Sequence, residues 1–341
     1  MDTNWSAILQ QLLDRQSLTT DQTQNLMEAW LQEAIAPELA AAILIALQAK
    51  GVTSVELAAM AQVVAGLSAP LAFEFAEPLI DTCGTGGDGT HTFNISTATA
   101  FVVAAAGVPV AKHGGRSVSS KAGSADVLEC LGINLGAEHD KIYGALAATG
   151  ICFLFAPHWH PAMKAVAHLR RSLGVRTVFN LIGPLVNPLA PRLQVMGVYN
   201  LELVELMAET MRILGRDRAV VLHSREGMDE VGLGAPTDLA ILVKGEIGLE
   251  TLTPADLGLP ASGLDQLQGG DVAENAAILA QVLQGRGTIA QTNVVALNSA
   301  IALWVSNKVD SWQQGLDLAQ TILASGMAWQ KLTELKKFLD T

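Results

Sequence analysis

A chain of 341 residues is long enough for two domains, one of them with a sizeable core. Half of its residues are hydrophobic, only 16% are charged, and the formal net charge is -12. That balance fits an enzyme-like globular protein and argues against a nucleic-acid surface, which needs a broad basic face.

The start, "MDTNWSAILQ", has no basic n-region and no apolar h-region, so no secretory signal is expected. Helices follow. "TTDQTQNLMEAWLQ" sets Thr19 and Gln22 in capping-box spacing ahead of an apolar stripe of Leu26, Met27, Trp30 and Leu31. "APELAAAILIALQAKG" has Pro37 near its start and Gly51 just past its end. "TSVELAAMAQVVAG" offers Thr53 with Glu56 as a second box, and "LSAPLAFEFAEP" then reads as a linker.

Beyond Leu79 the texture changes to short apolar runs followed by glycine-rich loops. "LIDT", "VPVAK", "ICFLFA", "LQVMGVYN", "RAVVLHS" and "LAILVKG" are expected strands, with helical segments between several of them, which implies an α/β sheet. Between Gly89 and Ala111 the contiguous apolar run is roughly ten residues, below the ~20 that span a bilayer, so a buried helix and a strand are expected. "HPAMKAVAHLRRSLGVRTVFNLIG" reads as helix, loop and a second helical stretch. "TNVVALNSAIALWV", "SWQQGLDLAQTILAS" and "AWQKLTELKKFLD" close the chain as helices. Cys83, Cys130 and Cys152 cannot all pair within one chain, and reduced thiols in a cytoplasmic protein are expected.

Three loops share one chemistry. "DTCGTGGDGTHTFNIST" follows the strand "LIDT"; its Gly84, Gly86 and Gly89 match GxGxxG, yet no Asp or Glu occurs between Asp88 and Asp126 to take a ribose hydroxyl. Bare N–H groups, the hydroxyls of Thr92, Ser96 and Thr97, and a helix beginning near Asn94 suit a phosphate or diphosphate. "AKHGGRSVSSKAGSADVLE" gathers Lys112, Arg116 and Lys121 among glycines and serines, an arrangement suited to an anion. In "VVLHSREGMDEVG", Asp229 and Glu230 adjoin after a strand; Mg²⁺ takes one or two carboxylates plus phosphate oxygens and waters. Neighbours on a strand face opposite ways, so this pair needs a turn or serves separate ions.

The signatures "GTGGD", "FNIST", "KHG-R-VSSK-GSADVLE", "HPAMK", "RR-LG-RT-FN-IGPL-NP" and "MDE", in this order, resemble the anthranilate phosphoribosyltransferases over nearly the whole chain. The resemblance implies an α/β large domain with a central mixed sheet, plus a small all-helical domain, of the nucleoside phosphorylase/phosphoribosyltransferase type. The small domain would span residues 1–75, supplemented by helices around 165–185, and the catalytic domain 76–341, in a homodimer. It implies transfer of the phosphoribosyl group of phosphoribosyl pyrophosphate to the amine of anthranilate, in tryptophan biosynthesis, with Mg²⁺ as cofactor and neither nucleic acid nor membrane as partner.

Carried over by motif, Gly84, Gly87, Asp88, Thr92, Asn94, Ile95, Ser96 and Thr97 bind the diphosphate and ribose. Lys112, His113, Gly114, Gly115, Arg116, Ser117, Val118, Ser119, Ser120 and Ser124 hold the phosphates. Gly84, Gly115 and Arg170 meet anthranilate, and Ser96, Asp229 and Glu230 bind the metal. No residue is implied as acid or base. Three positions depart from the family pattern: Gly115 where asparagine is usual, His168 where proline is usual, and Ser224 where glycine is usual. Gly115 also makes the second loop similar to the Lys-x-x-Gly-Arg loop of pyrimidine nucleoside phosphorylases, the alternative reading; another aromatic amine as acceptor is a further one. His160 is implied along the acceptor channel or, equally, in a structural hydrogen bond.

Overall fold

Side-chain caps start the N-terminal helices of the computed structural model, which describes residues 3–68, 75, 77–116 and 121–340. The Asn4 side chain accepts the Ala7 N–H at 3.1 Å and opens α1 (Trp5–Leu13). Reciprocal Thr19–Gln22 and Thr53–Glu56 boxes open α2 (Thr20–Leu31) and α4 (Ser54–Gly66), as the spacing predicted; each cap contributes about 1 kcal/mol. Between them α3 (Pro37–Lys50) has Pro37 in its first turn and stops at Gly51, whose φ of 87° a side chain would resist. Glu56 is fully buried and does more than cap. It accepts the Leu18 N–H, the Thr53 N–H and the Lys50 ammonium, each at 2.8 Å. Removing either charge of that pair would strand the other, at about 3–5 kcal/mol.

The expected linker, 67–78, lies largely outside the described residues. After it, β1 (Ile80–Gly84), α5 (Ile95–Ala105), β2 (Val110–Gly114), α6 (Ser124–Cys130), α7 (His139–Thr149) and β3 (Ile151–Phe155) alternate. Short helices α8 (Ala156–Trp159), α9 (Ala167–Leu173) and α10 (Phe179–Ile182) come next. They lead to β4 (Leu193–Gly197), α11 (Leu203–Ile213), β5 (Arg218–Ser224), β6 (Thr237–Val243) and β7 (Glu246–Leu252). The chain closes with α12 (Val272–Leu283), α13 (Ile289–Val305), α14 (Trp312–Ser325) and α15 (Met327–Asp340). No described helix is long and apolar enough to cross a membrane.

The seven strands form one mixed sheet in the order β3-β2-β1-β4-β5-β6-β7, parallel from β3 to β5 and antiparallel beyond. β7 was not expected. Its residues are mostly exposed, so it has no apolar pattern; Lys244 and Gly245, at φ 52° and 85°, make the two-residue turn that folds it onto β6.

Alternation along β5 sends Val220 and Leu222 to one face and Ala219 and Val221 to the other. The first face is covered by α5, α7 and α13, on which α12, α14 and α15 pack. The second packs on α11, with α4 behind it, and this core continues through α1–α3 and Val166, Val178, Phe179, Leu181 and Ile182. Trp30 on α2 meets Phe179 on α10 edge-on at 5.5 Å, a contact of about 0.5–1.5 kcal/mol. The segment 166–186 therefore shares a core with the N-terminal helices despite its distance in the chain.

Candidate active site

From β1 the chain steps outward to β2 and β3, then returns to lay β4 on the other side of β1. Ligands bind in the crevice beyond the carboxyl ends of the strands at such a reversal. Here the reversal falls between Gly84 and Gly197, paired at the ends of β1 and β4. Both glycines make room for one loop: a Cβ on Gly84 would collide with Asp229 Oδ2, and one on Gly197 with the Asp229 carbonyl oxygen. The loop after β5 thus rests directly on bare backbone.

Asp229 and Glu230 sit in a bend rather than on a strand, so both carboxylates can serve one ion. Asp88, from the loop after β1, joins them; one oxygen from each of the three lies within 4.8 Å of the others. Gly86 N–H donates to Asp229 Oδ2 at 2.7 Å, and Asp229 N–H to Asp88 Oδ2 at 3.3 Å. Thr90 holds Asp88 through its N–H at 3.0 Å and its hydroxyl at 2.7 Å. Burial and then the Asp88 charge push Asp229 up to about 6, while burial and then Asp229 raise Glu230 well above its ordinary range. Glu230 Oε2 is buried without a hydrogen-bond partner among the described residues. A cavity of about 20 Å³, lined by Ser96, Asp229 and Glu230 among others, holds roughly one water-sized occupant. An oxygen-only donor set, an orphaned carboxylate oxygen and mutual repulsion all fit Mg²⁺.

Lys112, in the middle of β2, is buried, and its ammonium donates to Thr82 O and, at 3.3 Å, to Ser96 Oγ. Both acceptors line the same cavity, so the second loop's cation and the acidic pair meet at one point. Burial lowers the Lys112 pKa, and the nearby Asp81 opposes that shift most. Asp81, fully buried on β1, is pushed up to about 6 by burial, which Lys112 partly offsets. It accepts the His113 N–H at 3.2 Å and Asn187 Nδ2 at 2.9 Å, while Asn187 also donates to Ala111 O at 2.7 Å. This network fixes the end of β2 beneath the site.

Next to Lys112, His113 is buried with Nδ1 3.2 Å from Gly183 O. Burial and then His160 lower it to about 3, so it stays neutral near pH 7. The His113 and His160 rings meet edge-on at 5.2 Å, and His160 Nδ1 lies 3.1 Å from Ser68 Oγ. Arg116 is half-exposed and salt-bridged to Asp126 at 2.6 Å and Glu129 at 2.8 Å, so it sits on the rim, engaged by its own neighbouring helix. Arg170 is half-buried on α9, and its side chain makes no hydrogen bond or ion pair with the described residues; burial alone lowers its pKa.

Of the remaining expected site residues, Gly87 lies in the first loop, where Arg176 donates to its carbonyl while stacked 4.0 Å over the Tyr199 ring. Thr92 bridges to Gln268. Asn94 precedes α5, its Nδ2 on Ala122 O at 3.3 Å and its Oδ1 buried without a partner among the described residues. Ile95 and Thr97 are fully buried, and Ile95 packs in the first core. Gly114 ends β2, Gly115 follows it, and Ser124 begins α6 with its hydroxyl 3.5 Å from Gly115 O. Ser117, Val118, Ser119 and Ser120 lie outside the described residues. Sequence reasoning missed Asp81, Asn187 and Asn298; the last lines the cavity, and its signal was a lone amide in the apolar helix "VVALNSAIALWV".

Comparisons with known proteins agree along the chain. The glycosyl transferase family helical bundle domain matches residues 6–67, and the glycosyl transferase family a/b domain matches residues 76–329. Anthranilate phosphoribosyltransferase of Synechococcus sp. (strain JA-3-3Ab) is 59% identical over 337 residues, 98% of this chain and 97% of that protein. The Synechocystis sp. (strain PCC 6803) enzyme is 57% identical over 341 residues, 99% and 98% of the two chains. The crystal structure of anthranilate phosphoribosyltransferase from Thermus thermophilus superimposes with a TM-score of 0.92 at 39% identity, covering 98% of this chain and 99% of that one. The Saccharomyces cerevisiae enzyme in complex with PRPP and Mg gives 0.89 at 25% identity over 100% and 99%.

Proposed function

The chain belongs to the anthranilate phosphoribosyltransferase family, and from that premise we propose that it transfers the phosphoribosyl group of phosphoribosyl pyrophosphate to the amine of anthranilate. The products are N-(5-phosphoribosyl)anthranilate and pyrophosphate. The observation that supports this most is the meeting of Asp88, Asp229 and Glu230 with Lys112 and Ser96 at the reversal between β1 and β4.

Asp229, Glu230, Asp88 and the Ser96 hydroxyl would hold Mg²⁺, which when bound neutralises charge on the departing diphosphate. Lys112, the glycine-loop N–H groups and Asn94 orient the diphosphate and ribose. Because these donors are fixed before the sugar acquires oxocarbenium character, they stabilise the leaving group without reorganising. Arg170 takes the anthranilate carboxylate. The amine is an unprotonated arylamine at pH 7, so no strong base is needed, and His113, held down to about 3, is too weak to be one. The pair of neutral imidazoles at His113 and His160 instead offers edges and faces to an aromatic ring.

A homodimer and a cytoplasmic location accompany this reading; the three cysteines are free, as reduced thiols would be. The test follows anthranilate fluorescence with phosphoribosyl pyrophosphate and Mg²⁺, beside thymidine or uridine with phosphate. Fluorescence loss in the first mixture alone is expected. Turnover in the second alone would replace the transferase with a phosphorylase, the reading that Gly115 favours. Consumption of phosphoribosyl pyrophosphate only with another aromatic amine would reassign the acceptor.

A further inference from the structure

Asp229 and Glu230 hang between two fixed points. On the leading side, Ser224 N–H donates to Met228 O at 3.0 Å, and Met228 is fully buried. On the trailing side, Val231 is fully buried, and both of its backbone polar groups are taken by one side chain from α13. Asn298 Oδ1 accepts the Val231 N–H at 3.0 Å, and Asn298 Nδ2 donates to Val231 O at 3.0 Å and to Val294 O at 2.8 Å. Only the two carboxylate residues lie between the clasps.

We propose that Asn298 is a positioning residue that sets the direction of the Asp229–Glu230 pair by gripping the backbone of Val231. The inference rests on the reading that this pair holds the metal. An amide is the group that suits the task. It presents one acceptor to an N–H and its donors to two carbonyls, so a flip would face like against like at every contact. Asn298 is 6% exposed, and with Ser96, Asp229 and Glu230 it lines the small cavity. A shift of Val231 by a fraction of an ångström is passed straight to the neighbouring carboxylate, and metal sites depend on such supporting contacts for orientation. A core polar residue with a purely structural role would change melting temperature and leave metal affinity alone.

Asn298→Leu keeps the branched outline and removes every side-chain hydrogen bond; Asn298→Ala leaves room for a water on Val231. The probe is Mn²⁺, titrated by electron paramagnetic resonance with phosphoribosyl pyrophosphate present and anthranilate absent, so that nothing turns over. Asn298→Leu is expected to bind Mn²⁺ at least tenfold more weakly, with Asn298→Ala in between and the KM for anthranilate within twofold of the parent. If Asn298→Leu does not fold, the alanine variant decides by the same measure. Loss of Mn²⁺ in Glu230→Gln without loss in either folded Asn298 variant overturns this inference alone. Unchanged binding in Glu230→Gln as well overturns the metal reading and this inference with it.

Discussion

On the phosphate side of the cleft, Asp88, Asp229 and Glu230 crowd against Lys112 and Ser96; all but Glu230, whose Oε2 has no partner among the described residues, are held by hydrogen bonds, and Asp229 is also lodged against bare glycine. Beside it, where the end of β2 meets the segment after α10, His113 and His160 meet ring to ring with lowered pKa values, and no described residue comes within 4 Å of where a Cβ on Gly115 would stand. One side gathers charge and fixes it; the other is walled by two neutral imidazoles. The difference matches what each half of the proposed reaction demands. A diphosphate needs immobile counter-charge, whereas a flat arylamine needs a shaped wall and one cation. The first side should therefore fail abruptly on substitution, and the second should tolerate change and even improve.

The sharpest way to break that contrast is Glu230→Gln, expected to lower kcat/KM by about 10²–10³-fold, the scale of losing one fixed electrostatic contact. Steady-state rates across a Mg²⁺ series check it; a loss below fivefold would mean the pair is peripheral. Arg170→Ala tests the other side. It should raise the KM for anthranilate about 10- to 100-fold, the range for a hydrogen bond to a charged group, with the KM for phosphoribosyl pyrophosphate unmoved.

Asp81 sits beneath both sides and links them to stability. Its folded value of about 6 stands above the ordinary 3.8, so the folded chain keeps this proton longer than the unfolded one. The stabilisation is full below the unfolded value and disappears as pH rises through about 6. Between pH 4 and 7 that is about 2 kcal/mol. Urea melts of the parent and Asp81→Asn at both pH values should differ by this much, the parent losing more; parallel curves would show that the carboxyl titrates normally. The smallest effect belongs to Gly115→Asn, for which the described residues leave room. One neutral hydrogen bond should lower the KM for anthranilate by up to about tenfold, and an unchanged KM would mean that position 115 does not touch the acceptor.

Much of this architecture was legible because its signals are local. Thr19–Gln22 and Thr53–Glu56 announce helix starts within four residues, and the apolar run of β5 announces a strand. β7 was illegible because an edge strand exposed on both faces needs no hydrophobic alternation. At the site, the composition of the segments from Gly84 to Thr97 and from Lys112 to Gly115 marked them as suited to an anion, and the structure brings Ser96 and Lys112 of the two together. Asp88 as a third partner to Asp229 and Glu230 could not, because nothing in either loop reveals that the strand order reverses between them. Asp81, Asn187 and Asn298 were hidden for a related reason. Each works through the backbone of a residue far along the chain, and a buried polar side chain betrays its partner only once the fold is known.

The bond from Gly86 N–H to Asp229 Oδ2 joins residues 143 positions apart. On the ribosome, at about 5–20 residues per second, the glycine loop would emerge on the order of ten seconds before its acidic counterpart is made. On the proposed reading, a nascent chain displaying the first two loops still lacks the Asp229 and Glu230 carboxylates that would complete the grip on a metal–diphosphate.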